Sequence, residues 1–274
     1  PMQPLRRLLL LICVTAGLGF TSPGKSLAAE PVDVTLVLAV DVSRSMSAVE
    51  LELQRQGYAE AIRSDEVIAA IEQGAYGRIA VTMYEWAADF SHHEVFGWTL
   101  IENRDDAERI SRIILGAPNF GRNRTSISGA IRKGVEILEA SPYDGFRKVI
   151  DISGDGPNNQ GDRVMPARDE AVSKRIVING LPLMTRGGPG FGFNIAELDA
   201  YYRDCVIGGP GSFLVPVTDW EQFPGAVRRK LVQEIGGLDP RQAPVMKAQA
   251  EGEPVDCEIG EKIWQQRQWM FDAQ

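Results

Sequence analysis

Apolar and polar positions fall into blocks along the chain, and each block has the length and period of one element. Val34-Thr35-Leu36-Val37-Leu38-Ala39-Val40 is a short apolar run rich in β-branched residues, the pattern of a strand buried on both faces. Residues 47–71 have helical character. Ser47 and Glu50 stand at capping-box spacing, and Val49, Leu53, Ala59, Ile62 and Ile68 predict a loose apolar stripe. The stripe breaks near Arg63-Ser64-Asp65, where Asp65 is placed to cap a second short helix. Residues 78–86 and 93–101 read as strands, the second interrupted at Gly97 as an edge or bulged strand is. Residues 105–115 are amphipathic, and a polar loop over 119–124 leads to Thr125. A helix is expected over 126–140, with Ile127, Ala130, Ile131, Val135 and Leu138 at helical spacing. Pro142 and Gly145 mark a turn, and 147–153 is a strand ended by Gly154-Asp155-Gly156-Pro157. Helices are predicted over 163–173, 196–203 and 219–235, and strands over 176–181 and 212–217. This alternation predicts an α/β fold, doubly wound, with a mainly parallel central sheet and helices on both faces.

The two ends of the chain read differently. Arg6 and Arg7 precede an apolar run from Leu8 to Val14, and small residues follow at Ser26, Ala28 and Ala29. That is the layout of a secretory signal peptide, assigned to residues 1–29; a retained membrane anchor is the alternative, for which the run is short. Cys13 follows bulky Ile12, unlike a lipoprotein signal. Residues 30–237 form the expected domain. The tail, 238–274, is broken by Pro240, Pro244, Gly252 and Pro254 and then predicts a short helix over 259–271, with Trp264 and Trp269 packed on the domain, binding of a partner being the alternative.

Composition and charge narrow the class of function. The 274 residues carry 44% hydrophobic and 24% charged positions, ordinary for a globular chain. Without residues 1–29, 26 basic residues face 37 acidic ones, a net charge of −11. Such a surface disfavours nucleic acid and anionic membranes as partners. Export would leave Cys205 and Cys257 as an even pair, which suggests one disulfide tying the tail to the domain. Two unpaired thiols are the other reading, since spacing says nothing of their separation.

The chemistry gathers where strands end. Asp41, Ser43 and Ser45 follow the first strand at alternate positions, Thr125 stands just before a helix, and Asp155 follows the strand that ends at Ser153. Ligands of open α/β sheets bind outside the carboxyl ends of the strands, and hard oxygen donors there suit Mg²⁺. Taken singly, the same residues also serve as helix caps and turn formers. His92 and His93 are isolated and read as surface, and no nucleophile elbow or His-Glu-x-x-His zinc motif occurs.

Together Asp41-Val42-Ser43-Arg44-Ser45, Thr125 in Arg124-Thr125-Ser126-Ile127-Ser128 and Asp155 in Ser153-Gly154-Asp155-Gly156 resemble the metal-ion-dependent adhesion site (MIDAS) of a von Willebrand factor type A domain. All five positions match, and the resemblance covers about residues 32–236. It is nearest to a group of exported bacterial A-domain proteins of unknown function. The resemblance implies an antiparallel edge strand in the sheet. It implies a Mg²⁺ (or Mn²⁺) site with hydroxyl ligands from Ser43, Ser45 and Thr125, and with Asp41 and Asp155 acting directly or through water. Neutral hydroxyls leave the ion electrophilic, so an acidic group of a partner protein can complete its coordination. The expected function is therefore an exported, periplasmic or extracellular, metal-dependent protein-binding module with no catalytic residues. A metal-dependent hydrolase and a structural domain with a vestigial site are the alternatives. Arg44, Arg122, Arg124 and Gly190, the last in a glycine-rich loop, are the expected partner contacts.

Overall fold

The computed structural model describes residues 29–118, 123–185, 195–237 and 255–272, the last five by their backbone. Five strands form one sheet: β1 (Glu30–Asp41), β2 (Ile79–Trp86), β3 (His92–Ile101), β4 (Tyr143–Gly154) and β5 (Ile176–Pro182). Their order is β3-β2-β1-β4-β5, and only β3 runs antiparallel, at the edge. The helices are α1 (Ala48–Ile62), α2 (Asp65–Glu72), α3 (Arg104–Gly116), α4 (Ile127–Glu139), α5 (Val164–Ser173), α6 (Leu198–Tyr201), α7 (Phe223–Gly236) and α8 (Ile259–Asp272). The fold class matches the one expected from the sequence.

The buried face of each strand explains the layering. In β1 the residues from Val32 onward are all buried, because successive side chains point to opposite faces and both faces are covered. Val34, Leu36, Leu38 and Val40 meet residues of α1, α2, α3 and α7, including Tyr58, Ile68, Ile110 and Leu231. Val37 and Ala39 face the opposite core, with Ile131 and Val135 of α4, Ala167 of α5 and Tyr201 of α6. Because β1 is flanked by β2 on one side and β4 on the other, the chain reverses its winding beside it. That reversal opens a crevice at the carboxyl ends of β1 and β4.

Several local expectations change. Ser64, not Asp65, caps α2, its hydroxyl accepting from the Val67 N–H. Val49 is exposed, and α1 buries Gln54 and Arg55 beside Leu51, Tyr58, Ala59 and Ile62. These polar residues are buried because each finds partners: Gln54 Nε2 donates to the Asp41 carbonyl at 3.0 Å, and Arg55 pairs with Glu85 at 2.6 Å. The strand β4 begins at Tyr143, so Gly145 lies inside it opposite Val32 rather than in a turn. A Cβ there would stand 2.6 Å from the Thr35 nitrogen. Residues 212–217 do not form a sixth strand. They run beside β5 through two isolated bridges, Gly180 to Leu214 and Leu183 to Val217, and four backbone hydrogen bonds, in a ladder where Pro182 has no N–H to donate. The irregularity expected near Gly97 is present as register shifts in the β2–β3 pairing.

A buried ionic group ties α7 to β4. Lys230 Nζ lies 2.6 Å from both Asp151 Oδ1 and Glu234 Oε1, and all three side chains are enclosed. Asn179 Nδ2 also donates to Glu234 Oε1 at 2.8 Å. Burial, with the neighbouring Asp151 charge, pushes the Glu234 carboxyl up to about 7, while Lys230 pulls it the other way.

Candidate metal centre

The first loop of the site follows from the way β1 ends. The Val42 N–H still bonds to the Trp86 carbonyl at 2.9 Å, after which the chain turns. Asp41 Oδ1 accepts the Ser43 N–H at 2.6 Å, a short-range turn typical of Asp. Ser43 Oγ then stands 2.9 Å from Ser45 Oγ. Ser47 closes the loop as the N-cap of α1, its capping box with Glu50 complete.

The second loop is held by a pair of asparagines. Thr125 N–H donates to Asn159 Oδ1 at 3.0 Å, and the Asn159 N–H returns to the Thr125 carbonyl at 2.9 Å. Asn158 Oδ1 accepts from the Ser128 N–H at 3.1 Å. Ser126 caps α4 through the Gly129 N–H, and its hydroxyl donates to Asp89 Oδ1 at 3.0 Å. Thr125 is thus freed from capping, and its hydroxyl is left to the cleft. Arg124, just before it, adopts φ +83°, in the left-handed region that non-glycine residues rarely enter.

The third loop brings Asp155 across. β4 lies beside β1, so its end delivers Asp155 to the first loop, and Ser45 Oγ donates to Asp155 Oδ1 at 2.7 Å. Gly154 is packed so closely that a Cβ would lie 2.7 Å from the Tyr202 hydroxyl and 3.0 Å from Asp41 Oδ2. Here the crowding, more than a special turn, calls for glycine.

The structure brings the five predicted residues to one place. Ser43, Ser45, Thr125 and Asp155 line a cavity of about 460 Å³, together with Arg44, Arg124 and Trp264. Asp41 lies beneath it, fully buried. Asp41 Oδ2 has no hydrogen-bond partner of normal geometry. Burial, and next the Asp155 charge, push the Asp41 carboxyl up to about 8, against the pull of Ser43 and of the Asp155 peptide N–H. Two adjacent carboxylates, one of them buried with an unsatisfied oxygen, are what a divalent cation offsets. Among the described residues no three His, Cys, Asp or Glu side chains form a metal cluster; the donors here are two carboxylates and three hydroxyls, a hard-oxygen set that fits Mg²⁺ or Mn²⁺.

Of the expected partner contacts, Arg44 Nη1 donates to Asn123 Oδ1 at 3.2 Å, and Arg124 borders the cleft. Arg122 and Gly190 lie outside the described residues. His92 and His93 are not simple surface residues. They line a neighbouring cavity of about 560 Å³ with Phe90 and Glu85, and His92 packs edge-on against Tyr84. Burial lowers the His92 pKa, and the carboxylate in that cavity, Glu85, is already paired with Arg55.

The disulfide suggested by the paired cysteines is present, and the tail it holds supports the site in a way the sequence reading did not foresee. Cys205 and Cys257 form a disulfide with a Cα–Cα distance of 5.5 Å. It fastens the tail to the domain, and α8 then reaches the cleft. Asn158 Nδ2 donates to Glu261 Oε1 at 2.7 Å, Arg163 pairs with Glu258 at 3.0 Å, and Trp264 enters the cavity wall. Only the paired cysteines and the helical spacing of the tail pointed this way.

Comparison with known proteins supports the fold. No curated protein is detectably similar in sequence. Among solved structures, the pilus adhesin SpaC from Lactobacillus rhamnosus GG superposes with a TM-score of 0.55 at 13% identity, over 75% of this chain and 31% of its own. Proximal thread matrix protein 1 (PTMP1) from the mussel byssus gives 0.54 at 12% identity, over 75% and 48%. A von Willebrand factor type A protein from Catenulispora acidiphila gives 0.52 at 12% identity, over 75% and 43%. PTMP1 is also known with a zinc-occupied MIDAS motif, at 0.50 and 14% identity, over 73% and 46%. The chain therefore spans less than half the length of each of these proteins. At such identities the likeness establishes the von Willebrand factor A-type fold alone. In sequence, residues 31–239 match the family model described as "Protein of unknown function (DUF1194)". With about three quarters of its length inside that match, the chain belongs to the DUF1194 family and carries its sheet in the von Willebrand factor A-type arrangement.

Proposed function

We propose that the protein is a metal-dependent binding module. Asp41, Ser43, Ser45, Thr125 and Asp155 would hold a divalent cation, Mg²⁺ or Mn²⁺, whose open position takes a carboxylate of a partner protein. The observation that carries this reading is the convergence of three loops on one cleft, with Ser45 bridging to Asp155 across 110 residues and the Asp41 carboxylate buried beneath. The zinc-occupied MIDAS of PTMP1 supports the same use of this fold.

Each residue has a distinct task. Asp41 and Asp155 supply the negative charge, and burial of Asp41 keeps its oxygen from being satisfied by water. Ser43, Ser45 and Thr125 add neutral oxygens, which quench little of the cation's charge. Asn159 holds Thr125 through two hydrogen bonds to its peptide groups, and Asn158 holds the start of α4 by accepting from the Ser128 N–H. A bound cation would supply electrostatic attraction for a carboxylate, with Arg44 and Arg124 beside it. Residues 1–29 acting as a signal peptide, 30–237 as the binding domain and 238–274 as a tethered tail complete the reading. The Cys205–Cys257 bond agrees with an oxidising compartment, periplasmic or extracellular.

The direct test is Mn²⁺ binding, followed by the loss of the free-ion electron paramagnetic resonance signal. Wild type is expected to bind one Mn²⁺, displaced by excess Mg²⁺, and Asp41→Ala and Asp155→Ala to lose it. Stoichiometric binding that survives both substitutions would refute the assignment. A pull-down from envelope and culture fractions then tests the partner: capture should require divalent metal and fail for Asp155→Ala.

A further inference from the structure

The tail lies beyond the family match, which ends at residue 239, yet it forms part of the cleft. The Arg124 guanidinium carbon sits 3.4 Å from the centre of the Trp264 ring. This stacking joins α8 to the residue immediately before Thr125, and it offsets part of the cost of the left-handed Arg124 backbone. The start of α8 is seated just as closely. A Cβ on Gly260 would lie 2.0 Å from the Asn158 carbonyl oxygen, so only glycine permits this approach. Asn158 in turn bonds to both Glu261 and the start of α4. A 14-residue helix is marginal alone; the disulfide and these contacts keep it against the site.

Charge identifies what such a wall accepts. The chain as a whole has a net charge of −8, but at the cleft Arg44 and Arg124 flank the two carboxylates that a divalent cation would neutralise. Stacking on Trp264 uses the face of the Arg124 guanidinium and leaves its in-plane N–H donors for a carboxylate. Among the described residues Arg124 has no carboxylate partner of its own. The mouth of the cleft is therefore locally positive on an acidic molecule, with an aromatic ring as its side.

We propose that α8 is the selective wall of the cleft. Trp264 and Arg124 form an aromatic–cationic surface that packs the residues flanking a metal-bound carboxylate, so the site takes an extended acidic peptide segment and discriminates against an isolated carboxylate. This inference rests on the metal-binding reading above and adds the class of partner.

The test compares acetyl-Gly-Asp-Gly-Asp-Gly-amide with acetate in the presence of Mg²⁺, by titration and by the indole N–H resonance of Trp264, assigned with Trp264→Phe. The peptide is expected to shift that resonance and to bind at least tenfold more tightly than acetate. The advantage should fall about tenfold in Trp264→Ala and in Gly260→Val, which unseats α8 from Asn158 without altering a cleft residue. Equal peptide affinity in wild type and both variants, with Mn²⁺ binding intact, overturns the role of α8 and leaves the metal site standing. Peptide binding that persists in chelator also overturns it, because the carboxylate would not be on a cation. Absence of Mn²⁺ binding in wild type removes the metal reading and this inference with it.

Discussion

Metal affinity should depend on pH through Asp41. Its carboxyl is raised from the ordinary 3.8 to about 8, first by burial and then by Asp155 beside it. In the metal-free protein this group therefore holds its proton up to about pH 8, and a cation that needs the carboxylate must displace it. Below that pH one proton leaves for each ion bound. The apparent affinity then rises about tenfold per pH unit, roughly 1.4 kcal/mol, and levels off above about pH 8. The same shift acts on stability. Between 3.8 and about 8 the folded state binds more protons at this site than the unfolded chain, so the metal-free protein loses stability as pH rises through that window. Saturating metal should reverse part of that loss at the upper end. The assay is Mn²⁺ titration at pH 6, 7, 8 and 9, with calorimetry in two buffers of different ionisation enthalpy to count protons released. About one proton per ion at pH 7 is expected. A metal affinity that is flat from pH 6 to 8, with no proton released, would show that Asp41 is already ionised and that the buried like-charge pair does not store this preference.

Three further outcomes follow from packing. Reducing Cys205–Cys257, which are 52 residues apart in sequence, removes a chain-entropy constraint of roughly 4 kcal/mol; it should release α8, make the chain at Lys262 and Arg267 cleavable by trypsin and lower the main thermal transition by about 10 °C, as limited proteolysis alongside calorimetry can check. Lys230→Met leaves Asp151 and Glu234 buried without their cation and should cost about 3–5 kcal/mol in urea unfolding; adding Glu234→Gln should recover part of it, and a cost below about 1 kcal/mol would refute the triad's role. Gly57→Ala places a Cβ 2.3 Å from Phe223 Cδ1. The overpacking, about 1–3 kcal/mol, should exceed the helix-propensity gain of about 1 kcal/mol, giving a lower midpoint in thermal unfolding.

Local pattern and tertiary context contributed differently. The parallel strands were legible because their apolar runs are long enough to be buried on both faces. The capping box at Ser47 and the break at Ser64 were legible for the same reason: they are decided within four residues. Residues 212–217 have a strand's pattern and bond along the edge of β5, but they pair only through isolated bridges, because Pro182 on the partner strand has no N–H to donate. The stripe on α1 was misjudged because Gln54 and Arg55 are buried by partners 13 and 30 residues away.

The sequence by itself determined the α/β alternation, the positions of the five oxygen-bearing residues at element ends, and the two cysteines. Each depends on short-range periodicity or on residue type. Tertiary structure alone decided that β4 lies beside β1, bringing Asp155 to Ser45, and that Asp41 is buried deeply enough to hold its proton. It also decided that Trp264 stacks on Arg124, 140 residues earlier in the chain. These are long-range contacts, and their energies come from burial and shared charge at distances that sequence order does not contain.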